Sequence, residues 1–131
     1  MTVRLLRAAD VLAACPMSDA NDAVASDFAA LSTGQATIPV RLSVPLRDGA
    51  VALAMPAALA GASCYSVKVV TVAPANAAAG RPIIIGTVLL GDALSGEPRY
   101  HASAATHAMI AAIPAIRAIW ARAGMGALTG M

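Results

Sequence analysis

The fold is decided by one stretch, Cys64–Val72, which reads CYSVKVVTV. Four valines and a threonine make it rich in β-branched side chains, which have one strongly preferred torsion and pack well on a pleated surface. The pattern therefore predicts a β-strand. Lys68 interrupts the valines and is the single lysine of the sequence. This position makes Lys68 a candidate functional residue, although a surface lysine on the polar face of the strand is the alternative.

Further strands are predicted on both sides of this stretch. Residues 83–90 are a second β-branched run, and residues 74–82 between the two have the composition of a loop. Upstream, residues 38–46 and 50–55 are predicted to form a hairpin, because Asp48-Gly49 supports the positive φ angles of a tight turn. Residues 92–97 contain a second turn that should lead into another strand.

Two helices are predicted ahead of the strands. A short strand at residues 3–6 precedes a short helix, Ala8–Ala14, that stops near Pro16. Apolar residues then recur at helical spacing over residues 18–32, with Ser18 as the expected N-cap and Gly34 as the C-terminal stop. Short N-terminal helices followed by a mostly antiparallel or mixed sheet indicate an α+β fold.

The composition limits the function classes. The chain has 131 residues, a net charge of +2 and 12% charged residues, without any cluster of Lys or Arg that would favour nucleic acid. Cys15 and Cys64 lack the spacing of a metal site, so we expect no metal and two buried thiols in a reducing, cytoplasmic compartment. Residues 100–116 are too short for a membrane span, which needs about 20 apolar residues. We therefore expect no membrane partner.

The sequence changes character near residue 99. All seven acidic residues lie at or before Glu97, whereas residues 100–131 contain both histidines and the only tryptophan. No partner strand is recognisable beyond Arg99, and a helix over residues 107–122 would contain Pro114. The expected organisation is a domain at residues 1–99 and a divergent, helical or disordered tail at residues 100–131. A GxGxxxG pattern at residues 124–130 has neither a strand before it nor a helix after it, so it does not predict a phosphate loop.

Four short blocks, in this order, resemble the ornithine cyclodeaminase/μ-crystallin family. They are Ile38-Pro39-Val40-Arg41, then Met55-Pro56-Ala57, then residues 67–76, then Gly86-Thr87-Val88-Leu89-Leu90 leading into Ser95-Gly96-Glu97-Pro98. The third block is the most specific, because it combines a lysine inside a β-branched strand with a following Pro-Ala-Asn. The resemblance covers residues 1–99.

The resemblance implies both a fold and a chemistry. In that family a first α+β domain binds the substrate and forms a homodimer, and a Rossmann domain binds NAD(P). Members act on small amino acids or cyclic imines and include ornithine cyclodeaminase, a lyase, as well as alanine dehydrogenases and ketimine reductases, which are oxidoreductases. No Rossmann domain is recognisable in this sequence, so a chain truncated or frameshifted after about residue 99 is the expectation.

The resemblance assigns roles to two residues. Arg41 matches the arginine that binds the substrate carboxylate, and a guanidinium can grip a carboxylate with two parallel hydrogen bonds. Lys68 matches the catalytic and substrate-binding lysine at the amino or imine group. This role is chemically reasonable, because a lysine in an apolar pocket can exchange protons near neutral pH. For Arg41 a solvated strand arginine is the alternative.

Three positions depart from the family pattern. Ile83 replaces a threonine that lies near the cofactor, and Leu53 replaces a carboxylate of the ornithine-specific members. Leu53 cannot pair with a distal amine, so a small amino acid or cyclic imine is the expected substrate. A second carboxylate-binding arginine has no counterpart, since Met109 occupies its place and Arg117 comes too late.

Three functions follow as alternatives. The first is that the chain supplies the substrate-binding residues of an amino-acid or imine oxidoreductase. The second is a non-catalytic dimerisation or binding module, and the third is a non-functional remnant. Because the sequence lacks a glycine-rich loop between a strand and a helix, no cofactor is expected to bind this chain alone.

The purified chain should therefore bind no dinucleotide. Titration with NADH, followed by nicotinamide fluorescence, should give no saturable enhancement. A saturating curve at micromolar protein would contradict the expected architecture.

Overall fold

The computed structural model describes residues 2–105, which form one seven-stranded sheet with two helices on one face. This arrangement confirms the predicted α+β class with a mostly antiparallel, mixed sheet. Two 3-10 turns, Arg47–Gly49 and Pro74–Ala79, connect strands. The elements in chain order are β1 (Arg4–Leu6), α1 (Ala8–Ala14), α2 (Met17–Ser32), β2 (Ala36–Thr37), β3 (Leu42–Pro45), β4 (Val51–Leu59), β5 (Cys64–Val72), β6 (Ile84–Asp92) and β7 (Pro98–Ala105).

Strand β5 lies at the centre of the sheet, as its β-branched composition predicts. It pairs antiparallel with β4 on one side and with β6 on the other, along its full length on the β6 side. β7 pairs antiparallel with β6, and β1 closes this edge as the one parallel neighbour among the described strands. At the other edge β4 is long enough to pair with two short strands, β3 near its start and β2 at its end.

The core lies between the two helices and one face of the sheet. Val88, Leu90 and Tyr100 are almost completely buried beneath α1. Cys15 and Cys64 are both buried thiols of this same cluster, as the sequence predicted. A core of such small side chains depends on close packing, because each one removes little apolar surface from water.

The predicted N-cap of the second helix is wrong. Helix α2 begins at Met17 with Pro16 in the N-cap position, and Ser18 lies inside the first turn, where its hydroxyl donates to the carboxylate of Asp19. Proline is well suited to this end because a missing N–H costs nothing where the N–H would be unpaired. The predicted stop is correct in position, since Gly34 has a left-handed φ of 72° just beyond the helix.

The hairpin around Asp48-Gly49 is confirmed, with both residues at positive φ. Its strands differ in extent from the prediction. Residues 38–41 are irregular rather than extended, and β4 continues through Pro56 to Leu59.

The domain boundary placed at residue 99 is wrong for the residues that follow it directly. Strand β7 runs from Pro98 to Ala105 and is the pairing strand that sequence inspection failed to find. It escaped notice because its sequence, PRYHASAA, is rich in alanine and poor in β-branched residues. The strand is favoured instead by burial, because Tyr100 and Ala102 complete the core. The expected helix at 107–122 and the glycine pattern at 124–130 lie outside the described residues.

The turn between β6 and β7 is held by one carboxylate. Asp92 accepts hydrogen bonds from the backbone N–H groups of Ser95 and Leu94, both at 2.9 Å. These two bonds, the one from Ser95 foremost, hold the pKa of the Asp92 carboxyl below its ordinary value. Arg99 adds an ion pair with Glu97 at 3.0 Å across the same turn.

The second face of the sheet has no helix on it within residues 2–105. Cross-strand partners point to the same side of a sheet, and the register therefore groups several exposed apolar side chains here. We call this surface the open face; its exposed members are Leu5, Leu42, Val44, Val69 and Ile85. On it Thr87 contacts the imidazole of His101 and donates to the carbonyl of Ala102, which ties β6 to β7.

Gly91 is a position where a side chain has no room. A β-carbon there would overlap the ring of Tyr65, which lies opposite Gly91 and donates its hydroxyl to the carbonyl of Gly96 at 3.3 Å. Displacing the ring would disturb that hydrogen bond.

Replacing Gly91 with alanine should therefore lower the free energy of unfolding by about 1 kcal/mol, the low end for overpacking at a half-exposed ring. Urea denaturation measures the change. The same substitution in a Tyr65→Ala background is the control and should cost clearly less. An equal loss in both backgrounds would show that the Tyr65 ring is not the obstacle.

Candidate functional site

The two residues singled out by the sequence, Arg41 and Lys68, line one cleft. It has a volume of about 380 Å³. The rest of its lining is apolar and comes from two segments, the irregular chain before β3 and the middle of β4; these residues are Ile38, Pro39, Met55, Pro56 and Ala57. The cleft thus joins the first three of the sequence blocks, which are far apart along the chain.

Lys68 is positioned by the sheet. It lies in the middle of β5, opposite Met55 of β4 and Val88 of β6. Since cross-strand partners share a face, Lys68 points to the same side as the buried Val88, the side that carries the helices. Lys68 is half-buried. The surface-lysine alternative therefore does not describe its position.

Arg41 is positioned by the path of the chain. The strands before and after Arg41 both pair with β4. The preceding strand, β2, pairs with Ala58 and Leu59, and the following strand, β3, pairs with residues 51–54. The connecting segment must therefore pass the middle of β4, which brings Arg41 to Met55 and Pro56. Pro39 fixes one backbone torsion of this segment, which reduces the freedom of the short connection. Arg41 is exposed.

The charge of the cleft is entirely positive. Arg41 and Lys68 are its ionisable side chains, and its walls carry no carboxylate. Within residues 2–105 neither cation of the cleft forms a salt bridge, whereas Arg99 pairs with Asp92 and Glu97. Two cations beside an apolar wall suit a small ligand with an anionic group, because a guanidinium and an ammonium both donate charge-assisted hydrogen bonds to such a group.

Two of the positions that depart from the family pattern, Leu53 and Ile83, lie within the described residues. Leu53 is two residues before Met55 on the same strand and therefore on the same face, opposite Val70. Ile83 precedes β6 and is 42% exposed, and its carbonyl accepts a hydrogen bond from the N–H of Ala73.

Residues 2–105 do not fit a dinucleotide. A pyrophosphate is held by a glycine-rich turn between a strand and a helix N-terminus. Here β1 is joined to α1 by Arg7, and α2 follows Cys15 and Pro16, so neither junction contains glycine. The same part of the chain has no group of three His, Cys, Asp or Glu side chains placed to hold a metal ion. Neither of its helices is long and apolar enough to cross a membrane.

Sequence inspection found the two cations but missed the walls between them. Met55 and Pro56 appeared only as parts of a short block, and nothing in that block shows that Met55 lies beside Lys68. The register of β4 on β5 creates this contact, and a register is set by pairing over the whole strand.

Comparisons with known proteins agree on one family. The sequence profile of the ornithine cyclodeaminase/mu-crystallin family matches residues 1–122. Delta(1)-pyrroline-2-carboxylate reductase 1 of Burkholderia multivorans is 43% identical over 75 residues, which are 57% of this chain and 23% of that protein. The Delta(1)-pyrroline-2-carboxylate/Delta(1)-piperideine-2-carboxylate reductase of Azospirillum brasilense is 41% identical over 75 residues, or 22% of its length. The chain thus spans less than a quarter of these relatives.

Solved structures show the same similarity in three dimensions. Delta(1)-pyrroline-2-carboxylate reductase of Thermococcus litoralis, in complex with NADH and L-proline, superposes with a TM-score of 0.71 and 28% identity, covering 76% of this chain and 31% of that one. An archaeal alanine dehydrogenase dimer with bound NAD gives a TM-score of 0.73 and 25% identity, covering 80% and 32%.

Proposed function

The chain belongs to the ornithine cyclodeaminase/mu-crystallin family, and from this premise we propose that residues 2–105 are the substrate-binding part of a reductase for small cyclic imino acids. The observation that carries the proposal is the cleft in which Arg41 and Lys68 are the ionisable side chains of an apolar wall. NAD(P) would be the cofactor of the whole enzyme. Since the described residues do not fit a dinucleotide, no hydride step is assigned to them.

In this proposal Arg41 binds the carboxylate of the substrate. Its guanidinium is planar and permanently charged, and it presents two parallel donors to the two carboxylate oxygens. The exposed position of Arg41 lets a ligand approach without displacing a protein partner.

Lys68 is proposed to meet the ring nitrogen, or the amino group derived from it. Lys68 is half-buried and lies at a fixed register. It can donate a hydrogen bond or a proton to the basic nitrogen of a ligand whose carboxylate is bound by Arg41. The pairing on both sides of β5 fixes the backbone from which the Lys68 side chain extends toward the cleft.

A cyclic imino acid suits this cleft better than a diamino acid. Met55 gives the cleft apolar surface, and the lining contains no carboxylate that could pair with a distal ammonium. The relatives from Burkholderia multivorans and Azospirillum brasilense are named for substrates of the cyclic class.

Binding of tetrahydrofuran-2-carboxylate tests this proposal. It is a five-membered ring acid whose oxygen accepts a hydrogen bond where the imine nitrogen would lie. Arg41→Gln should weaken binding by roughly tenfold, the lower range for loss of a charge-assisted hydrogen bond at an exposed site. Isothermal titration calorimetry measures the affinity.

Arg47→Gln is the matched control, because Arg47 is an exposed arginine in the β3–β4 turn and does not line the cleft. It should leave the affinity unchanged. Equal losses from the two variants would mean that general charge, rather than the cleft, attracts the ligand, and the proposal would be wrong.

We further propose that the chain forms a homodimer through the open face. Exposed apolar side chains on four strands share this face, and covering them is favourable in water. Val69 of β5 and Ile85 of β6 lie near its centre. The archaeal alanine dehydrogenase of similar fold is a dimer.

Sedimentation velocity over a roughly hundredfold range of concentration should show a dimer that dissociates on dilution. Ile85→Lys should shift the population to monomer, because it places a charge in the apolar contact. Leu94→Lys is the control, since Leu94 is 90% exposed in the β6–β7 turn, away from the open face. A monomer at all concentrations for the unaltered chain would exclude this interface.

A further inference from the structure

A second cavity adjoins the cation-lined cleft. It has a volume of about 170 Å³ and lies between α2 and the adjacent ends of β4 and β5. Ile38 and Ala57 line both spaces. The two cavities are therefore neighbours, with these two side chains at their common wall. We call this second space the inner chamber.

The wall of the inner chamber is mainly apolar. Most of the residues that form it are small or aliphatic, among them Ala36, Leu59, Ala62 and Leu90, and Tyr65 also lines it. The alanines account for the empty space, because each leaves a gap where a larger aliphatic residue would fill it. A single water needs only about 10–15 Å³ of such space, so the chamber is large enough for a short alkyl chain.

The polar groups of the wall are already engaged. Ser66 is buried and donates its hydroxyl to the carbonyl of Ala57 at 3.5 Å. Asp27 of α2 is the charged side chain at this wall, and it makes an interaction of its own within the protein, as does Cys64. A cationic ligand chain would have to cross alkyl surface and compete for Asp27, which costs desolvation free energy. A hydrocarbon chain meets no such cost.

We infer that the inner chamber is a side-chain subsite that selects 2-substituted carboxylic acids bearing an apolar chain or ring beyond the second carbon. This inference rests on the proposed function, since Arg41 and Lys68 hold the polar end of the ligand. Ala36 and Ala62 set the length that the subsite accepts. The substrate class of the protein is thereby extended from small rings to acids with larger apolar substituents.

A series of 2-hydroxy acids tests the inference on the full chain. Lactate, 2-hydroxybutanoate, 2-hydroxypentanoate and 2-hydroxyhexanoate share the polar end and differ by one methylene each. The affinity measured by calorimetry should rise until the chamber is full. The expected gain is about threefold to fourfold per methylene, because that factor corresponds to the free energy of burying one CH₂ group. A guanidinium-tailed acid, 2-hydroxy-5-guanidinopentanoate, should bind no better than 2-hydroxybutanoate.

Ala62→Leu should fill the chamber from the β4–β5 turn and abolish the gain with chain length, while lactate still binds. Ala60→Leu is the matched control, because Ala60 is an exposed residue of the same turn that does not line the chamber. It should preserve the gain. Ala36→Val provides an independent reduction of the space on β2, should Ala62→Leu fail to fold.

The outcomes separate the two proposals. If lactate binds, and Arg41→Gln weakens it, but longer acids bind no more tightly, the subsite is disproved and the carboxylate cleft stands. If the guanidinium-tailed acid binds most tightly, the chamber is a cation subsite built on Asp27 and the inference is wrong. If no 2-hydroxy acid binds, the proposed function fails and the subsite fails with it.

Discussion

The register between β4, β5 and β6 is the constraint on which the rest of the structure depends. It places Lys68 opposite Met55 on one side and Val88 on the other. Because side chains alternate along a strand, a shift of one residue would turn Lys68 to the open face and expose the core positions Ser66 and Val70. Burial of Val88 and Leu90 beneath α1 fixes the register and, with it, the direction of the lysine. The same register therefore determines both the packing of the core and the direction of the Lys68 side chain.

The accuracy of sequence inspection followed the strength of the local signals. The limits of β5 and α1 were predicted to the residue, because a β-branched run and a short apolar helix before proline each carry their own information. β7 was missed since Pro98–Ala105 owes its extended form to pairing with β6 and β1 rather than to propensity. Arg41 and Lys68 were selected by resemblance and by the oddity of a lone lysine among valines. Their common cleft arises from pairing between distant segments, which no local pattern reveals.

The two faces of the sheet suit different partners. The face with the helices has a small core and, beside it, a cleft whose charge is positive and whose walls are apolar. The open face has exposed aliphatic side chains and lacks an ionisable cluster within residues 2–105. One face thus suits a small acid, and the other suits an apolar protein surface.

The central claim is that Lys68 and Arg41 act on one ligand, and the side-chain resonance of Lys68 tests it most directly. Lys68 is the single lysine of the chain, so lysine labelled with ¹³C and ¹⁵N gives one set of side-chain signals without assignment. Titration with tetrahydrofuran-2-carboxylate should shift the Lys68 Cε and Nζ resonances along a saturable curve, and Arg41→Gln should displace that curve to higher ligand concentration. A Lys68 signal that stays unchanged while the ligand binds elsewhere, or a curve indifferent to Arg41, would contradict the account.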